Sequence, residues 1–117
     1  MGAPSAGRNW FSVRCLFRTP DTDPDTDLSL YEERVTLWQA GSPDESIALA
    51  EAEAHAYTAG GSAEYVGLAQ SFSLFDSPAS GGEVFSLIRD SELAPDDYID
   101  RFFDTGRERQ KDYRAQD

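Results

Sequence analysis

The stretch Ser42-Pro43-Asp44-Glu45-Ser46-Ile47-Ala48 sets the frame for the whole chain. The Ser42 hydroxyl can accept the backbone N–H of Glu45, and Glu45 can bond back to the Ser42 amide. Pro43 falls at the first helical position, where its missing N–H costs nothing. Asp44 and Glu45 place negative charge at the positive end of the helix dipole. A helix therefore begins here. It carries Ile47, Ala50, Ala54 and Tyr57 at near-helical spacing and stops at Gly60-Gly61. Its alanines favour helix and allow close packing on a sheet.

On the N-terminal side the period changes to two. From Trp10 to Arg18, Phe11, Val13, Cys15 and Phe17 share one face, with Ser12, Arg14 and Arg18 opposite. Two prolines and a run of acids between residues 19 and 29 forbid a central strand, so this is a loop. From Leu30 to Ala40 the strand character returns. Tyr31, Val35 and Leu37 lie on one face and Arg34, Thr36 and Trp38 on the other, and Trp38 hints that this second face is partly covered.

On the C-terminal side, Tyr65 to Phe75 reads as a third strand. Val66, Leu68, Phe72 and Leu74 share a face, while Tyr65, Gly67, Ala69, Ser71 and Ser73 are small enough, as a set, to lie under a helix. Gly67 suggests a bulge. A Ser/Pro/Gly turn from Asp76 to Gly82 leads to Val84–Ile88, read as a fourth strand. Pro95-Asp96-Asp97 opens a shorter helix with Tyr98, Ile99, Phe102 and Phe103 on its stripe, ended by Gly106.

The expected fold is α+β, one domain over residues 10–106 in the order ββαββα, after a disordered stretch 1–9 and before a charged tail 107–117. Its four-stranded antiparallel sheet would have the spatial order 2-1-3-4, with both helices on one face. The other face would then carry aromatics that a homodimer could bury.

The chain has 117 residues, 22 acidic against 10 basic, for a net charge of −12. That balance repels nucleic-acid phosphates and anionic bilayers. No run of about 18 apolar residues could span a membrane. Residues 1–9 lack the apolar core of a secretory signal. The expectation is a cytoplasmic protein, and the lone Cys15 can form no internal disulfide.

The segments Trp10-Phe11-Ser12-Val13-Arg14, Tyr31-Glu32-Glu33-Arg34-Val35-Thr36-Leu37-Trp38 and Asp44-Glu45-Ser46-Ile47-Ala48 carry a resemblance, as do residues 65–70 and 83–91. Over residues 10–106 the chain resembles the bacterial domain of unknown function numbered 4288. The resemblance rests on turns and core strands. It implies a small standalone bacterial protein and brings no activity, ligand or site residue.

Four features could carry chemistry. Asp21, Asp23, Asp25, Asp27, Ser29 and Glu32 match the ligand spacing of a calcium loop. Thr26 stands where that loop needs glycine, Pro24 stiffens it, and strands flank it. An acidic loop that keeps a sheet edge from aggregating is the plainer account. Glu32-Glu33-Arg34 and Arg89-Asp90 offer paired charges, which read better as cross-strand ion pairs than as an acid–base couple. Cys15 reads as a small core residue and His55 as an exposed residue near the helix end. Neither Gly60-Gly61 nor Gly81-Gly82 has a phosphate-loop context.

With no catalytic set or cofactor motif, the leading expectation is a non-catalytic interaction module that recognises a basic partner, such as an immunity-type protein against a basic toxin domain. Trp38, Tyr98 and Phe102 are its candidate interface residues. The alternative is a small-molecule or calcium-binding domain built on loop 21–32, with Arg34 or Arg89 nearby. A concave pocket lined by those side chains would favour the alternative.

Overall fold

A computed structural model of the chain describes residues 8–103. The chain divides into two compact units, the first ending at Ser86 and the second beginning at Leu87. In the first unit, β1 (Asn9–Pro20), β2 (Ser29–Ala40) and β3 (Glu64–Ser73) form a three-stranded antiparallel sheet, with α1 (Pro43–Thr58) between β2 and β3 in sequence. In the second unit, α2 (Pro95–Phe102) is the one regular element among the described residues. The expected tail 107–117, the Gly106 stop and residues 1–7 of the expected disordered stretch lie outside the described residues, whereas Asn9 of that stretch already opens β1 opposite Ala40.

The α+β class and the antiparallel pairing are as the sequence predicts, but the strand count is not. The order is β2-β1-β3, and Val84–Ile88 joins no ladder. The reason lies in Phe85. Its ring meets Phe72 edge-to-face at 5.0 Å, and the Arg14 guanidinium sits over it at 5.5 Å. Phe72 and Arg14 both occupy the sheet face turned away from α1. The segment is thus held by side-chain packing on that face rather than by backbone pairing at the β3 edge.

Helix α1 starts as its capping sequence dictates. The Ser42 hydroxyl accepts the Glu45 N–H at 3.0 Å, with Pro43 at the first position. The return bond differs by one residue, because the Glu45 carboxylate accepts from the Gly41 N–H rather than from Ser42. At the far end Gly60 takes a φ of 79°, which L side chains avoid.

The core lies between α1 and the sheet. Val13, Cys15 and Phe17 of β1 pack against Ala50 and Ala54 of α1, with Trp38, Ile47, Tyr65 and Ala69 at the margin. Ser46, fully buried, bonds Ser71 of β3 through their hydroxyls at 2.7 Å. Small residues on both partners let the helix sit close. The inward face of β3 is the small-residue face the sequence predicts. In β2 the more polar face turns in: Arg34, Thr36 and Trp38 stand beside Cys15, Val13 and Phe11. Tyr31, Val35 and Leu37 turn outward and are 59%, 39% and 40% exposed. The bulge expected at Gly67 is present. The β1–β3 register shifts between Cys15 and Phe17, opposite a Gly67 with φ of 103°.

Candidate functional site

Each sequence-predicted site residue has a definite place. The acidic loop folds on itself as consecutive Asx turns: the Asp21 carboxylate accepts the Asp23 N–H and the Asp23 carboxylate accepts the Asp25 N–H, both at 2.9 Å. A backbone bond from Asp21 N–H to Leu28 C=O closes the loop at 3.1 Å. Glu32 is engaged elsewhere, accepting the Tyr57 hydroxyl at 3.0 Å. Among the described residues, no three His, Cys, Asp or Glu side chains are grouped to hold a cation. The structure therefore does not bring Asp21, Asp23, Asp25 and Glu32 together.

The charged triplet on β2 is split between faces. Glu33 pairs with Arg14 on the outer face. Arg34 pairs with Glu53 of α1 on the inner face, its guanidinium 3.9 Å from the Tyr57 ring centre. The ion pair with Glu53 raises the Arg34 pKa above its ordinary value. Cys15 is buried, and burial pushes its thiol pKa up, the opposite of what a nucleophile needs. Burial, followed by its bond to Glu51 at 2.6 Å, also holds the Tyr65 hydroxyl well above the ordinary phenol range. His55 is exposed and touches Tyr65 edge-to-face at 5.5 Å.

The proposed interface residues belong to different units. Trp38 is a half-buried margin of the core, donating its indole N–H to the Thr36 hydroxyl at 2.7 Å. In the second unit the Tyr98 ring meets Phe102 at a tilt, their centres 4.7 Å apart, and Arg89 lies over the Phe102 ring at 4.2 Å while donating to the Tyr98 hydroxyl.

A concavity does exist, at a place the sequence did not single out. A groove of about 490 Å³ is walled on one side by residues 71–77 and on the other by residues 82–86. It runs along the end of β3, whose edge away from β1 pairs with no strand among the described residues. The backbone polarity of that wall follows from the ladder. The Leu74 N–H donates to the Trp10 C=O at 2.9 Å, so at positions 72 and 74 the polar groups point toward β1. Antiparallel alternation then turns the N–H and C=O groups of Ser71 and Ser73 away from β1, to the unpaired edge.

The groove is acidic. Its lining includes Asp76 and Glu83. Each described arginine of the first unit is matched to a glutamate elsewhere: Arg8 to Glu45, Arg14 to Glu33, Arg18 to Glu64 and Arg34 to Glu53. Asp76 and Glu83 enter none of these pairs. Their one sequence signal is that they bracket the Ser/Pro/Gly turn, which otherwise reads as an ordinary hairpin end. None of the acidic-loop residues, Arg34 or Arg89 lines the groove.

Among the described residues no helix is long and apolar enough to cross a membrane. No family model matches this chain, and comparison with curated proteins and with solved structures returns no similar protein.

Proposed function

We propose that this chain is a non-catalytic protein-binding module of the cytoplasm that recognises a basic partner at the groove beside β3. The observation that carries this reading is the charge distribution in the first unit. Its described arginines are already engaged with glutamates, while Asp76 and Glu83 stand unmatched beside an unpaired strand edge. A basic ligand gains Coulomb attraction there without breaking an existing pair, and the net charge of −12 speeds its arrival. The resemblance to the bacterial domain numbered 4288 accompanies this reading and adds no site residue. An immunity-type role, with a basic toxin domain as partner, is one form the module would take.

A capped octapeptide alternating Lys and Val is the direct probe, titrated calorimetrically against the full chain. We expect saturable binding that weakens as salt rises, as screening requires. The Asp76→Asn/Glu83→Gln double variant should bind several-fold more weakly at an unchanged Tm. Equal affinity for the matching Glu/Val octapeptide, or no binding to either at low salt, overturns the reading.

A further inference from the structure

We infer that the basic partner binds as an added strand, an extended segment of about five residues laid along β3 to complete the sheet. This inference rests on the interaction-module reading and specifies how the partner is held. Three observations converge on it. The outer edge of β3 is unpaired among the described residues, and Ser71 and Ser73 direct their backbone groups outward there. A strand edge of this kind is a template for another chain. The segment that would have closed the edge is instead anchored on the outer face of the sheet by Phe85 on Phe72, and its residues 82–86 form the other wall of the groove. That wall, residues 82–86, is long enough to flank roughly 16 Å of extended chain.

The groove also selects its occupant. A strand in this position alternates its side chains above and below the sheet. Asp76 and Glu83 favour Lys or Arg in the added strand, while Val84 and Phe85 offer apolar contact. An alternating basic and apolar segment satisfies both. A second copy of this chain fits less well, since edge-to-edge pairing would bring two sets of Asp76 and Glu83 together between bodies that each carry −12. Like charges so placed oppose association.

Backbone methylation separates this inference from the broader reading. Two further Lys/Val octapeptides are made, one N-methylated at its Val residues and the other at its Lys residues. Each keeps the charge and the side chains, but each loses the ladder donors on one edge. The expected result is that one methylated peptide binds about tenfold more weakly than the parent while the other binds comparably. Hydrogen exchange of the Ser71 and Ser73 amides should slow on adding the parent peptide. Equal binding by all three peptides overturns strand addition and leaves the basic-partner module standing. Binding that leaves the Ser71 and Ser73 amides unprotected does the same. Failure of every Lys/Val peptide to bind removes both readings. Concentration-dependent dimerisation that protects these amides without peptide also overturns the inference, by assigning the edge to a second copy.

Discussion

Tyr65 shows how one side chain links the core to its polar margin. Its ring meets Phe17 at 5.6 Å, and its hydroxyl reaches Glu51 on α1. Tyr65→Phe removes that bond and leaves the carboxylate without this donor, so stability should fall by about 1 kcal/mol, read as a lower Tm. Tyr65 and Cys15 are both held protonated, chiefly by burial, above their ordinary values of 10.0 and 9.0. The unfolded chain ionises these groups at the ordinary values and the folded chain only at higher pH. Their contribution to stability is therefore complete below about pH 9 and is lost as pH rises through the raised values. Thermal melts across pH 7 to about 11 should show Tm falling on the alkaline side, with a shallower fall in Tyr65→Phe. A flat alkaline profile would contradict this burial. The alternation of the sequence placed Cys15 in the core but could not reveal the Tyr65–Glu51 bond, which joins two elements that approach only in the folded chain.

At the scale of elements, α1 is the best-determined piece. Ser42→Ala removes the hydroxyl that accepts the Glu45 N–H and should destabilise by about 1 kcal/mol, measured by urea titration. The packing of α1 depends on absent side-chain volume. Ala54 is fully buried in the cluster with Phe17. Ala54→Leu should cost about 1–3 kcal/mol by overpacking, although leucine is nearly as good a helix former. A variant as stable as the parent would mean that the helix stands further from the sheet. The strands were less legible. Both faces of β2 carry large side chains, so alternation located the strand without saying which side turns in. Trp38 gave the one hint, and it proved to mark the covered face. Val84–Ile88 has strand composition, yet strand pairing also requires a backbone ladder, and Phe85 found a better position against Phe72 and Arg14.

For the whole molecule, charge dominates. A net charge of −12 on 117 residues raises the free energy of the compact state through self-repulsion. Added monovalent salt should therefore raise Tm between low and moderate ionic strength, even though it weakens pairs such as Arg18–Glu64. A Tm that falls with salt would show that the surface pairs outweigh the repulsion. The same screening should loosen a basic ligand, so stability and binding are expected to respond to salt in opposite directions.

The sequence by itself determined the capped helix, three strands, the bulge at Gly67 and the acidic character, because caps, periods and charges are local or additive properties. Tertiary structure decided which face of β2 meets the helix, where the fourth segment rests, and therefore that an acidic groove exists at the end of β3. Those outcomes depend on competition between distant groups: backbone ladder against aromatic contact, small residues against large ones. A one-dimensional pattern records the competitors but not the distances that choose between them.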